Sequence, residues 1–121
     1  MEITEVTLGI PVVELARSRE WYERLLGFAP ELEPVAGMAE FRVAGAWLQL
    51  MEVRAPRPGG AFRIGVRNLE TESGRLRAGG FEPTEIETIP GIIRFLQLKD
   101  PDGNAVSLYE LLPRTSPKSG P

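Results

Sequence analysis

Residues 9–30 read GIPVVELARSREWYERLLGFAP, and this stretch decides the fold. From position 4 to position 12, apolar residues alternate with other types, which is the period-two pattern of a half-buried strand. Between Leu15 and Leu26 the apolar residues recur at helical spacing, and Gly27 supplies a helix stop. The sequence therefore predicts a strand that leads almost directly into an amphipathic helix.

The same pattern occurs a second time in the chain. RIGV at 63–66 precedes another helical pattern, and GFEP at 80–83 corresponds to GFAP at 27–30. The two halves also end alike, because LQLME at 48–52 matches VSLYE at 106–110. Three matches in the same order and at similar spacing indicate two copies of one supersecondary unit.

Each copy is predicted to be a β-α-β-β-β unit. The predicted strands span residues 4–12, 30–34, 38–43 and 46–53 in the first unit, and 61–67, 82–87, 92–99 and 104–111 in the second. The second helix is expected to begin after Asn68 as its cap, and Gly74 weakens the prediction there. We predict an α+β fold in one domain over residues 1–112, with unit one at 1–54, a linker at 55–60, unit two at 61–112 and a flexible tail at 113–121.

Composition narrows the chemistry that the chain can carry. Histidine and cysteine are both absent from the 121 residues, which excludes disulfides, thiol nucleophiles, His/Cys zinc sites and a Ser-His-Asp triad. The net charge of -3 argues against a nucleic-acid partner. No apolar run has the length of a membrane span and the first residues do not resemble a signal peptide, so the expectation is a cytoplasmic protein without a membrane partner.

Two stretches resemble a known family. IPVVELARSREWY at 10–22 with LGF at 26–28, and DPDGN at 100–104 with LYE at 108–110, are similar to the opening and closing segments of vicinal oxygen chelate domains. That superfamily includes glyoxalase I, extradiol dioxygenases and the bleomycin- and fosfomycin-resistance proteins. The resemblance covers residues 4–112 and implies a curved mixed sheet around a cleft, with the helices outside. It also implies a homodimer.

In metal-using members of that superfamily, the first and last strands of each unit supply four ligands, usually His, Glu or Gln. The resemblance places the corresponding positions of this chain at Thr7, Gln49, Ala61 and Ser107. These residues offer neutral oxygens from at most three side chains, whereas hard cations prefer several charged oxygens and transition metals prefer imidazole or thiolate. We therefore predict no metal and no cofactor.

The period-two rule places further side chains beside those four positions. The predicted ligand-binding residues are Thr7, Trp47, Gln49, Met51, Arg63, Phe95, Ser107 and Tyr109. This lining is mostly apolar and aromatic with Arg63 as its main cation, which suits a planar or weakly anionic small molecule. Alternatively, Trp47, Met51 and Phe95 are core or dimer-interface residues, and Arg63 pairs with Glu40 or Glu5.

Two acidic features have simpler explanations than catalysis. Asp100 and Asp102 belong to a sequence typical of a hairpin turn, and this favours a turn over an acid/base or calcium site. Glu52 and Glu110 end equivalent strands, where they are expected to lie at the rim or on the helix side in salt bridges. A paired acid/base role stays open for them.

The sequence thus favours a binding protein over an enzyme. The predicted function is metal-free binding of a hydrophobic or aromatic small molecule, by sequestration as in the resistance-type members. One alternative is a glyoxalase- or dioxygenase-like enzyme with atypical metal ligands, and another is a degenerate structural subunit.

Overall fold

A computed structural model of the chain describes residues 1–55 and 61–113. The chain packs into two compact units. Of the described residues, the first unit comprises those within Met1–Phe62 and Lys99–Ala105, and the second comprises those within Arg63–Leu98 and from Val106 to Pro113. Apart from Ala55 and Pro113, the predicted linker at 55–60 and the predicted tail at 113–121 lie outside the described residues.

The first unit contains one helix and a three-stranded sheet. Its elements are β1 (Thr7–Val12), α1 (Leu15–Leu26), β2 (Met38–Val43) and β3 (Ala46–Glu52). The strand order is β1-β3-β2, with β1 parallel and β2 antiparallel to the central β3. The helix packs on β2 and β3 and buries Ser18, Tyr22 and Leu25, which are spaced as the sequence predicts.

Helix α1 ends at Leu26, directly before Gly27, as the sequence predicts. Gly27 adopts a left-handed conformation with φ of 90°, and its N–H donates to the carbonyl oxygen of Glu23 at 2.8 Å. Because a side chain at this φ is strained, glycine is the favoured residue here. The predicted helix is confirmed over its whole length.

The second unit contains the other helix and most of a four-stranded sheet, of which only the end residues Ala61, Phe62, Lys99 and Ala105 are assigned to the first unit. Its elements are β4 (Ala61–Gly65), α2 (Leu69–Ala78), β5 (Glu87–Ile89), β6 (Ile93–Lys99) and β7 (Ala105–Leu111), in the strand order β4-β7-β6-β5. Asn68 caps α2 as predicted, because its side-chain oxygen accepts a hydrogen bond from the N–H of Thr71 at 3.1 Å. Leu69 and Leu76 of the helix are fully buried. The prediction of an α+β fold from two units is confirmed.

The predicted strand at 4–12 begins three residues too early and the one at 61–67 ends two residues too late, and two other predicted strands are mostly wrong. The segment at 30–34 forms a single bridge, between Leu32 and Glu40, because Pro30 and Pro34 flank it and neither has an N–H to donate. At 82–87, only Glu87 belongs to a strand.

Pro83 and Thr84 explain the difference at 82–87. Pro83 lacks an N–H, and Thr84 attaches this segment to β6 by two bonds to Gln97 instead of a regular ladder. The N–H of Thr84 donates to the Gln97 carbonyl at 2.9 Å, and the Thr84 hydroxyl accepts from the Gln97 N–H at 2.9 Å.

Candidate ligand-binding site

One side of the first sheet is buried and the other is open. Leu48 and Leu50 of β3 are fully buried, while the alternating residues between them are half-buried. Strand register places the directly opposite residues of β1 and β2 on the same side. We call this side the first open face, and its residues include Thr7, Glu40, Arg42, Trp47, Gln49 and Met51. The structure thus brings together four predicted site residues, Thr7, Trp47, Gln49 and Met51.

Several polar side chains of the first open face already have partners. Trp47 donates its indole N–H to Glu5 Oε2 at 2.9 Å, and Gln49 donates from Nε2 to Glu40 Oε2 at 2.6 Å. The guanidinium carbon of Arg42 lies 4.7 Å from the centroid of the Trp47 ring. Trp47 is therefore held in place at its edge by a carboxylate and at its face by a cation.

The second sheet also has an open side. Leu96 and Leu98 of β6 and Val106 and Leu108 of β7 are buried. The residues that alternate with them form the second open face together with β4, and it includes Arg63, Gly65, Phe95, Ser107 and Tyr109. Phe95, Ser107 and Tyr109 are half-buried, and Arg63 is exposed. The remaining four predicted site residues thus share this face.

Arg63 stacks on an aromatic ring of its own unit. Its guanidinium carbon lies 5.0 Å from the centroid of the Tyr109 ring. Among the described residues, no carboxylate lies within 4.0 Å of the Arg63 guanidinium. Within its own unit, Arg63 therefore has an aromatic ring as its partner, and its pairing with Glu40 or Glu5 stays an untested alternative.

The turn at 100–104 anchors helix α1. Asp100 is buried and accepts four hydrogen bonds, from the Tyr22 hydroxyl, the Asp102 N–H, the Asn104 N–H and the Asn104 side-chain amide, at 2.8–2.9 Å. Asp102 accepts from the Val13 N–H and the Ser18 hydroxyl and forms an ion pair with Arg17. The turn prediction is confirmed, and both carboxylates are used in structural bonds.

Burial raises the pKa of the Tyr22 hydroxyl far above its ordinary range, and the negative charge of Asp100 and the hydrogen bond to it add to the effect. The hydroxyl stays protonated as the donor to Asp100 at 2.8 Å. With its pKa raised in this way, the Tyr22 hydroxyl keeps its proton at neutral pH. The Tyr22 hydroxyl is therefore a structural hydrogen-bond donor to Asp100.

Glu52 and Glu110 cap the two helices. Glu52 Oε2 accepts from the N–H of Leu15, and Glu110 Oε1 accepts from the N–H of Leu69, each at 2.9 Å. Among the described residues neither glutamate forms an ion pair, so the expected salt bridges are wrong. Glu52 and Glu110 occupy equivalent positions in the repeat, which indicates that they have the same role. The sequence alone does not show that their partners are backbone N–H groups at the start of the helices.

The donor set does not fit the metal that the superfamily implies. Thr7, Gln49, Ala61 and Ser107 offer no carboxylate, imidazole or thiolate, and the Gln49 amide is bound to Glu40. Within residues 1–55 and 61–113, no group of three or more His, Cys, Asp or Glu side chains is arranged to hold a metal ion. The side chains at these four positions are therefore poor ligands for a metal ion.

The family comparison agrees with this architecture. A family model described as the Glyoxalase/Bleomycin resistance protein/Dioxygenase superfamily matches residues 4–108. None of the curated proteins shows a significant match to the chain. In the part of the chain that the structure describes, no helix combines the length and the apolar composition needed to cross a membrane.

Solved structures with the same fold carry different names. A glyoxalase/bleomycin resistance protein from Catenulispora acidiphila has a TM-score of 0.80 at 22% identity, over 91% of this chain and 100% of that one. A lactoylglutathione lyase from Agrobacterium tumefaciens has a TM-score of 0.74 at 19% identity, over 87% and 91%. TnmS3, an antibiotic binding protein from Streptomyces sp. CB03234, has a TM-score of 0.78 at 21% identity, over 93% and 99%. At these identities the likeness shows a shared fold.

Proposed function

The chain belongs to the glyoxalase/bleomycin resistance protein/dioxygenase superfamily, and from that premise we propose that it binds a small hydrophobic or aromatic molecule without a metal and without transforming it. The binding residues are those of the two open faces, and the protein acts by sequestration. The proposal includes the homodimeric state that the resemblance implies and the cytoplasmic location expected from the sequence.

One observation carries the proposal: each open face presents an aromatic ring stacked with an arginine. Arg42 lies over Trp47 at 4.7 Å, and Arg63 lies over Tyr109 at 5.0 Å. A ring fixed in this way is a rigid surface on which a planar ligand can stack with little loss of side-chain entropy. Burying such a ring under a ligand also removes apolar area from water, which favours binding.

The surrounding chemistry supports binding over catalysis. The buried carboxylate of Asp100 is saturated by hydrogen bonds, and Glu52 and Glu110 bind helix N-termini. The positions that hold the metal in metal-using relatives carry neutral side chains. TnmS3 is described as an antibiotic binding protein, so a protein of the same fold serves as a binder, which is the class of function proposed here.

The test uses the purified full-length protein. Elemental analysis and native mass spectrometry measure bound metal, retained small molecules and oligomeric state together. We expect no stoichiometric metal and a dimer. A stoichiometric metal that is lost in a Gln49→Ala variant would overturn the metal-free proposal.

Ligand binding is measured with uncharged planar aromatic amides of two and three rings. Trp21→Phe leaves Trp47 as the sole tryptophan, so quenching of its fluorescence reports on the first open face directly. We expect at least one amide to raise the melting temperature and to quench Trp47. Trp47→Ala should weaken that binding, while the matched Trp47→Phe variant should retain most of it. If no member of the panel binds, the binding proposal fails.

A further inference from the structure

A groove of about 500 Å³ opens in the second unit, where β4 and β7 end. Six residues line it: Gly65, Val66, Arg67, Tyr109, Glu110 and Leu111. The N–H of Val66 donates to the carbonyl of Tyr109 at 2.8 Å, which ties the two walls together. The groove thus lies on a hydrogen-bonded part of the sheet.

The Tyr109 ring packs closely against the glycine of the neighbouring strand. A Cβ atom placed on Gly65 would lie 3.1 Å from Tyr109 Cζ and 3.2 Å from Tyr109 Oη. Real Cβ contacts are rarely this close, so the ring rests on the strand backbone because position 65 has no side chain. The ring position therefore depends on Gly65.

Two arginines stand on either side of that glycine in the sequence. Arg63 stacks on the Tyr109 ring, and Arg67 lines the groove directly. Both are exposed, and among the described residues no carboxylate lies within 4.0 Å of either guanidinium.

Glu110 is the one acidic side chain among the six lining residues, and its Oε1 atom accepts the N–H of Leu69. Its charge is directed at the N-terminus of α2, where a carboxylate is favourable. Arg67 in the lining and Arg63 on the Tyr109 ring therefore place two positive charges beside the aromatic ring, against the one negative charge of Glu110.

We propose that this groove binds an aromatic carboxylate, with its ring against Tyr109 and its carboxylate on Arg67 and Arg63. The inference rests on the proposed function and names the chemical class of the ligand. A guanidinium matches a carboxylate with two parallel hydrogen bonds, and charge-assisted bonds are stronger than neutral ones. A neutral amide of the same shape lacks this gain, so the groove should discriminate between the two.

The experiment compares 2-naphthoate with 2-naphthamide by isothermal titration calorimetry on the full-length protein at low ionic strength. We expect 2-naphthoate to bind about tenfold more tightly, the equivalent of about 1.4 kcal/mol. The preference should shrink as salt is added, because exposed guanidinium groups are screened. Arg67→Gln should remove most of the preference, because it weakens 2-naphthoate binding far more than 2-naphthamide binding. Arg63→Gln should weaken both probes because it also loses the ring contact.

Two matched controls separate a local site from general effects. Arg54→Gln removes the same charge from an exposed arginine outside the groove and should leave the preference intact. Gly65→Ala displaces the Tyr109 ring and should weaken both probes, whereas Gly74→Ala, where a Cβ would meet no atom within 4 Å, should weaken neither.

The outcomes distinguish this inference from the proposed function. Equal affinity for both probes, or an equal loss in Arg54→Gln and Arg67→Gln, overturns the carboxylate site while binding of the amide still supports the proposed function. Failure of both probes to bind also overturns the carboxylate site, and the proposed function is then decided by Trp47 quenching with the uncharged panel.

Discussion

Glu52 Oε2 accepts a hydrogen bond from the backbone N–H of Leu15 at 2.9 Å, so the last residue of β3 caps the first residue of α1. The first N–H groups of a helix have no partner within the helix and carry partial positive charge. The helix has no local acceptor for them, because the N-cap residue Glu14 makes no side-chain capping bond. Glu110 does the same for Leu69 in the second unit. The repeat therefore conserves a long-range helix cap as well as a strand order.

Replacing this cap should destabilise the protein by a measurable amount. Glu52→Ala is expected to lower the free energy of unfolding by about 1 kcal/mol, which is typical for the loss of a capping side chain. Glu110→Ala should have a similar effect. Urea unfolding measures both, with Glu31→Ala as the control, because Glu31 is an exposed glutamate whose side chain makes no bond to the described residues. Equal stabilities for all three variants would show that the two glutamates do not cap the helices.

Tyr22 should make stability fall at high pH. Its pKa is raised in the folded state by burial and by Asp100, so above the ordinary tyrosine pKa of about 10 the folded state holds a proton that the unfolded state releases. Stability from this group is complete below pH 10 and is lost as the pH rises further. The expected slope approaches about 1.4 kcal/mol per pH unit.

Two variants isolate this effect. Tyr22→Phe should be less stable at neutral pH, because Asp100 loses a hydrogen bond, and should lack the tyrosine contribution to the slope above pH 10. Tyr109→Phe leaves Tyr22 as the sole tyrosine, so tyrosinate absorbance should rise only together with unfolding. A tyrosinate signal that rises in the folded protein would contradict the shifted pKa.

Patterns of neighbouring residues predicted most of the fold. The alternation around Leu48 and Leu50 and the helical spacing up to Gly27 gave β3 and α1 almost to the residue, because each pattern is set by the periodicity of one element. The same alternation placed Trp47 and Gln49 on the open side of the sheet. Such features are local, and one sequence is enough to show them.

Long-range bonds could not be predicted in this way. Glu52 binds a backbone N–H 37 residues away, and Asp102 binds Ser18 across 84 residues, and no periodicity encodes such a pair. The groove at Gly65 and Arg67 was missed for the same reason, because it depends on how β4 lies beside Tyr109. The sequence was enough to predict which strand positions form the candidate site. The contacts between the side chains at those positions could be seen only in the structure.

A substitution at Ala44, in the turn between β2 and β3, should stabilise the protein. Ala44 has a positive φ of 47° and Gly45 one of 85°, the conformation of a type I′ hairpin turn, in which Asn-Gly is preferred. Alanine is strained in this region, whereas asparagine adopts it readily. Ala44→Asn is expected to raise the free energy of unfolding by about 0.5–1 kcal/mol. Thermal and urea unfolding check the gain, and a loss of stability would exclude this turn type.

Asp102 should matter far more than the arginine with which it forms an ion pair. Its side chain is 5% exposed, while that of Arg17 is 50% exposed, so the ion pair at 3.1 Å is partly screened by water. Arg17→Ala is therefore expected to lower the free energy of unfolding by less than about 0.5 kcal/mol. Asp102→Ala should cost about 2 kcal/mol, because the Val13 N–H and the buried Ser18 hydroxyl also lose their acceptor.

The single variants separate these contributions. The double variant should be about as unstable as Asp102→Ala alone, since the ion pair is already lost in that variant, and it shows that Arg17 acts only through Asp102. Ser18→Ala provides an independent check and should cost less than Asp102→Ala, because it removes one of the three partners. A loss in Arg17→Ala as large as that in Asp102→Ala would instead assign the anchoring of the 100–104 turn to the ion pair.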